Sequence, residues 1–256
     1  VFSAAAVSEQ HPSFIQLRPA LSEGDGVKLV IMHSFLGDES GYERLWRMSL
    51  ADRSVYAIRH QYLADGGADI LQQSATTMLS SYAAMVVAML QVDPFDLIGA
   101  SYGSLVAYHL VGAARALDAM PRRLVLIDPF PFFPRIRETA PMSTLLSTGA
   151  NDPRSAAHFV LKLRLYAHLG REDGEAMLAQ LIEELEHVPN DAVGLFLAAQ
   201  SMPANASHQE LLVQALSEHR RVMTVASCGA TITELVESMP SVHARGRAEA
   251  VLMVLA

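Results

Sequence analysis

The stretch PFDLIGASYGSLVAYHL converts an apolar strand into a helix within five residues. Phe95-Asp96-Leu97-Ile98 reads as a β-strand, and a helical pattern sets in at Ser104. Between them lie Gly99-Ala100-Ser101-Tyr102-Gly103. So tight a reversal needs small residues two before and two after the central serine, and it lifts the Ser101 hydroxyl out at the carboxyl edge of a sheet. The G-x-S-x-G pattern alone is common by chance. The strand before it and the helix after it give it weight.

The rest of the chain repeats the same alternation. Val27–Met32, Ser54–Ile58 and Arg123–Asp128 are further short apolar runs, and 248–256 is another. Helical periodicity separates them: Tyr42, Leu45 and Trp46 fall on one stripe, and a long helix is expected over 69–90, with Met78, Tyr82, Met85 and Met89 as its core face. Strands that are nearly all apolar, joined by helices, predict an α/β fold with a mostly parallel sheet covered on both faces. After Asp128 the pattern is broken by Pro129, Pro131 and Pro134. Helices are then expected at 155–169, 173–186, 191–201, 209–222 and 232–239. The expected organisation is one domain, with a core of 14–130 and 246–256 and a helical lid over 131–245 of the kind that covers an active site.

Composition excludes several functions. Of 256 residues 51% are hydrophobic and 18% charged, the profile of a soluble globular protein. The net charge of −8 and the lack of any long Lys/Arg run argue against nucleic acid as a partner. No apolar run approaches the ~18 residues of a membrane span, and 1–17 lacks a signal-peptide pattern. A single cysteine, Cys228, fits a reducing compartment, so a cytoplasmic location is expected. No metal site and no bound cofactor are expected. The chain opens on Val1 and stops at Ala256 within the run AEAVLMVLA. Because domain ends usually lie at the surface, a piece of a longer polypeptide is expected.

Ser101 is the expected nucleophile, and the N–H of Tyr102, next in sequence, is aimed at a developing oxyanion. Asp128 ends the strand that follows. Neighbouring parallel strands lie about 4.8 Å apart, so Asp128 is the expected acid beside Ser101. The base is harder to place. His158, His168, His187, His208 and His219 fall in the helical stretch, and His243 precedes the last apolar run at what should be its amino end. Active sites of parallel sheets open at the carboxyl ends, so the catalytic histidine is expected beyond Ala256, leaving this stretch without its general base.

These motifs carry a family likeness. FIQLRP, HSFLGDESGYERL, VYAIRHQYL, GASYGSLVAYHL, LVLIDPFPF and RGRAEAVLMVLA together resemble the type I thioesterase domains of polyketide synthases, nonribosomal peptide synthetases and animal-type fatty acid synthases. The resemblance implies an α/β-hydrolase fold, with the acid on the strand next to the nucleophile. It also implies an oxyanion hole made by the N–H groups of Phe35, in the loop after an early strand, and Tyr102. The implied chemistry is acyl transfer from the phosphopantetheine arm of an acyl or peptidyl carrier protein through a Ser101 acyl-enzyme, ending in hydrolysis or cyclisation. Phe130, Phe132 and Phe133 would line the acyl channel. A stand-alone serine esterase or lipase of the same fold, and a catalytically incomplete binding module, remain open at this point.

Overall fold

The computed structural model describes residues 11–20, 26–43, 53–66, 70, 73–90, 93–127, 152–169, 171–203, 205–237 and 251–254. Two compact units comprise residues 1–134 with 231–256, and residues 135–230.

The first unit holds a six-stranded sheet. Its strands are β1 (Phe14–Arg18), β2 (Lys28–Met32), β3 (Val55–Ile58), β4 (Phe95–Ala100), β5 (Arg123–Ile127) and β6 (Val251–Val254), in the order β1-β3-β2-β4-β5-β6. All pairings are parallel except β1 with β3, where a register shift between Gln16 and Arg18 bends the edge. Such a bulge discourages further strand addition. The expected mostly parallel sheet is therefore present, and the FIQLRP stretch forms its antiparallel edge. Central β4 is buried from Phe95 to Gly99, which is why it reads as an apolar run without alternation.

The winding reverses beside β2. The chain leaves β2 for β3 on one side, then places β4 on the other. That reversal opens a crevice at the carboxyl ends of β2 and β4, the place where open parallel sheets bind ligands. Both candidate oxyanion segments follow these two strands.

Helices α1 (Gln61–Asp65), α2 (Ala75–Leu90) and α3 (Tyr102–Arg115) belong to this unit. Met78, Tyr82 and Met85 of α2 are buried, as their spacing predicts; each such side chain stabilises the fold by about 1.5–3 kcal/mol. Helix α2 starts at Ala75 rather than 69, because Ser74 caps it: its hydroxyl accepts from the Thr77 N–H at 3.2 Å. At the far edge of the sheet, buried Asp96 accepts from Arg53 Nη1 (2.6 Å), Arg122 Nε (3.2 Å) and Arg122 Nη2 (3.3 Å). Opposed charges thus clamp the amino ends of the strands.

The second unit is helical: α4 (Pro153–Leu169), α5 (Arg171–Glu186), α6 (Val193–Ser201) and most of α7 (His208–Glu237). Helices α4 and α5 pack as a hairpin. Gly194 lets α6 approach α7 closely, since a Cβ there would sit 2.6 Å from the Ala215 carbonyl oxygen. Ser207 and Glu210 form a reciprocal capping box at the start of α7, with Ser207 N–H to Glu210 Oε2 at 2.8 Å and Glu210 N–H to Ser207 Oγ at 3.2 Å. Fully buried Glu218 accepts from Arg164 and from Gln214.

Helix α7 differs from the expectation of two helices with a break at 223–231. The run MTVASCGAT has weak helix formers, yet Val222, Val225, Ala226 and Cys228 are buried, and packing outweighs propensity. Among the described residues, no helix is long and apolar enough to cross a membrane, and no cluster of His, Cys, Asp and Glu could hold a metal ion.

Candidate active site

Ser101 sits between β4 and α3 with φ 51° and ψ −122°, and it is exposed. A non-glycine residue at positive φ is strained by roughly 1–3 kcal/mol and persists only where its surroundings over-determine it. Here they do. A Cβ on Gly99 would lie 2.2 Å from the Gly103 carbonyl oxygen, and one on Gly103 would lie 2.6 Å from the His33 carbonyl oxygen and 2.7 Å from the Tyr42 hydroxyl. The two glycines let the strand, the helix and the loop after β2 close on each other.

Hydrogen bonds hold the turn on every side. The Ser101 N–H donates to the Ile127 carbonyl (2.9 Å), tying the elbow to the end of β5. The Ser104 hydroxyl reaches the Gly99 (2.7 Å) and Ile127 (2.9 Å) carbonyls. The Ala100 N–H donates to the Tyr42 hydroxyl at 2.6 Å. Burial pushes the Tyr42 phenol well above its ordinary range, so it remains protonated.

The loop after β2 is equally constrained. His33 is fully buried. Its Nδ1 stands 2.8 Å from the Ser34 carbonyl and its Nε2 2.9 Å from the Tyr82 hydroxyl. A carbonyl can only accept, so Nδ1 carries the proton and Nε2 receives the Tyr82 hydroxyl proton. Burial lowers the His33 pKa to about 4, against the Ser34 hydrogen bond and the Asp38 charge. His33 is therefore a neutral strut that stabilises the loop after β2. His60, with ring centroids 5.4 Å away, is lowered to about 3 by burial and then by His33.

Gly37, at φ 83°, turns the loop, and its carbonyl accepts from the His60 N–H at 2.8 Å. Arg59 grips Glu39 through two hydrogen bonds, Nε to Oε2 (2.8 Å) and Nη2 to Oε1 (2.5 Å). Burial pushes the Glu39 carboxyl up, but the Arg59 hydrogen bonds and charge outweigh it and hold the group below the usual carboxylate range. The carboxyl end of β3 thus braces the loop that carries Phe35.

Phe35 and Tyr102 meet directly. Their rings pack edge-to-face, with centroids 5.3 Å apart and planes at 87°. Tyr102 also contacts the His33 ring, at 5.8 Å. Tyr102 is the first residue of α3, where N–H groups lack intrahelical acceptors and the helix dipole favours negative charge.

The structure thus brings Ser101, Tyr102 and Phe35 together at the carboxyl ends of β2 and β4. Asp128, Phe130, Phe132, Phe133 and His243 lie outside the described residues. His158, His168, His187, His208 and His219 lie on or beside the helices of the second unit. Sequence reasoning did not single out Tyr42, Tyr82, His60 or Ser104 as supports of the site. Tyr42 and Tyr82 were visible as apolar stripe positions, and nothing in a stripe marks where a phenol oxygen ends.

Solved structures share this fold. A four-domain nonribosomal peptide synthetase, AB3403, in its holo form bound to AMP and glycine, matches 95% of this chain with a TM-score of 0.60 and 21% identity. This chain spans only 16% of that synthetase. The NocB thioesterase domain, in covalent complex with a fluorophosphonate nocardicin G analogue, matches with a TM-score of 0.52 and 16% identity, covering 94% of this chain and 77% of that one. A probable hydrolytic enzyme from Pseudomonas aeruginosa PAO1 matches with a TM-score of 0.51 and 15% identity, covering 94% and 67%. No curated protein matches the chain. The sheet order, the elbow and these neighbours make this an α/β-hydrolase fold. A family model for the thioesterase domain matches residues 27–238, well over half of the sequence, and the chain belongs to the thioesterase-domain family.

Proposed function

We propose that this chain releases an acyl or peptidyl chain from the phosphopantetheine thioester of a carrier protein, with Ser101 as nucleophile. The strained backbone of Ser101, at φ 51° and ψ −122° on an exposed turn between strand and helix, carries the reading. A merely structural loop serine has no reason to be held there against the strain.

In the first half-reaction the Ser101 oxygen adds to the thioester carbonyl as a general base takes its proton. The carbonyl oxygen becomes an oxyanion that accepts from the N–H groups of Phe35 and Tyr102, with the α3 dipole behind the latter. The intermediate collapses by breaking the C–S bond, and the thiol departs with a proton. In the second half, water or a hydroxyl or amine of the acyl chain attacks the ester, and Ser101 recovers its proton as an acid or a ring leaves. Asp128 is the proposed acid that orients the base. It follows directly on Ile127, whose carbonyl holds the Ser101 N–H. Phe130, Phe132 and Phe133, immediately after it in sequence, are the proposed channel lining. The AB3403 neighbour, a multidomain synthetase, supports a carrier protein as partner.

A fluorophosphonate probe tests the nucleophile. Labelling at Ser101 of a polypeptide extended past Ala256, absent in Ser101→Ala, is the expected result; failure of that folded protein to label overturns the reading. Competition between an acyl-thioester and the matching oxygen ester separates a thioesterase, which prefers the thioester, from an esterase.

A further inference from the structure

We propose that Thr231 is a positioning residue for acyl transfer at Ser101: by holding the Tyr102 phenol, it fixes the start of α3 and with it the Tyr102 N–H. The inference rests on the reading of Ser101 as nucleophile. It concerns a residue 129 positions from Tyr102 in the chain.

Tyr102 is 1% exposed, and its hydroxyl shares a 2.7 Å hydrogen bond with the Thr231 hydroxyl, itself buried. At its other side the ring packs on Phe35 and His33. The ring is thus gripped between the loop that supplies one oxyanion donor and the helix that carries Thr231. Its own backbone supplies the other donor. A tyrosine ring has two side-chain torsions, so fixing both its edge and its hydroxyl fixes its Cα closely. This ring is one of the contacts that set the spacing of the two donors.

Thr231 is itself rigidly delivered. Near it, the Glu234 carboxylate accepts from the Ala75 N–H at the start of α2 (2.7 Å). The Leu235 carbonyl receives a hydrogen bond from the ring of His109 on α3. His109 and Tyr102 are seven residues apart and so lie on one face of α3. The last turns of α7 are therefore fastened to α2 and α3 at three points, and Thr231 is the one that reaches the elbow residue. Oxyanion donors act only when aligned on the position the oxygen takes in the transition state. Loosening the ring acts on that alignment and leaves ground-state binding of the acyl chain alone.

The test compares Thr231→Val, Thr231→Ser and Tyr102→Phe in a polypeptide extended past Ala256, with rates normalised to folded protein by circular dichroism. Readouts are the rate of Ser101 labelling by a fluorophosphonate and kcat and KM for an octanoyl N-acetylcysteamine thioester. Thr231→Val is expected to lower kcat and labelling rate by about tenfold, one misaligned donor costing less than its removal, with KM within about twofold. Thr231→Ser, which keeps the hydroxyl, restores the rate. Tyr102→Phe matches Thr231→Val, and the double variant is no slower than either single one. Wild-type labelling with an unchanged rate in Thr231→Val and Tyr102→Phe overturns this inference alone, as does a Thr231→Ser as slow as the valine variant. A wild-type chain that does not label overturns the nucleophile reading instead.

Discussion

The hydroxyl of Tyr42 stands 2.6 Å from the amide nitrogen of Ala100 and accepts its proton just where β4 outruns its neighbour. Pairing of β4 with β2 ends at Ile98 opposite Ile31, so the Ala100 N–H has no strand to meet on that side. A side chain takes over the role of a strand one residue before the nucleophile. Tyr42→Phe keeps the ring and removes the acceptor. It is expected to destabilise the fold by about 1–3 kcal/mol, the cost of an unsatisfied buried N–H, and to slow Ser101 labelling. Urea denaturation and labelling kinetics on the same samples check both.

Alanine at the glycines separates the elbow from the helix behind it. Gly99→Ala and Gly103→Ala each place a Cβ within 2.7 Å of backbone or hydroxyl oxygen, so both are expected to abolish labelling and lower the melting temperature. Gly112, inside α3, has nothing within 4 Å of its would-be Cβ. Gly112→Ala is expected to stabilise by about 0.5–1 kcal/mol through helix propensity with labelling unchanged. Thermal melts of the three variants decide the matter.

Acid should weaken the site from within. His33 and His60 have folded pKa values lowered to about 4 and about 3, below the ordinary 6.5. Between those values the unfolded chain binds more protons than the folded one, so stability rises with pH there. The contribution is complete above about pH 6.5 and is lost as pH falls towards 4 and then 3. For His33 alone the full loss is on the order of 3 kcal/mol. Carboxylates such as Glu39, held low by Arg59, act only below their ordinary value of 4.5. Unfolding free energy measured at several pH values between 6.5 and 5 should therefore fall in the wild type and fall less in His33→Asn. Equal slopes would count against the buried neutral imidazole.

Asp96 offers a purely structural contrast. Its carboxylate, 5% exposed, accepts from two arginines at the amino end of β4, opposite to the end that bears Ser101. Asp96→Asn removes the charge and leaves Arg53 and Arg122 facing each other, at a cost of about 3 kcal/mol. Labelling per folded molecule is expected to stay at the wild-type rate. Guanidinium denaturation together with labelling tests that separation.

Much of the fold was legible in particular residues. Val27–Met32 and Phe95–Ile98 read as strands because a strand covered on both faces is nearly all apolar; the structure buries every residue of the two runs except Lys28, with Asp96 paired to two arginines. Met78, Tyr82 and Met85 showed the core face of α2 because helix geometry repeats every 3.6 residues. Ser101 stood out because its flanking glycines satisfy a steric requirement that no other residue type meets. The continuity of α7 was not legible, since Ser227 and Gly229 weaken local propensity and only burial of Val225 and Cys228 restores the helix.

By itself the sequence determined the local elements, the strand–turn–helix elbow and the small residues that permit it, because these depend on sterics and periodicity within a few neighbours. Only the tertiary structure decided which distant groups hold that elbow. The Tyr42 hydroxyl on Ala100, the Tyr82 hydroxyl on His33, and Thr231 on Tyr102 are hydrogen bonds between residues 58, 49 and 129 positions apart. A tyrosine in an apolar stripe looks the same whether its oxygen meets water or a buried partner. Only the packing of strands and helices into one core says which.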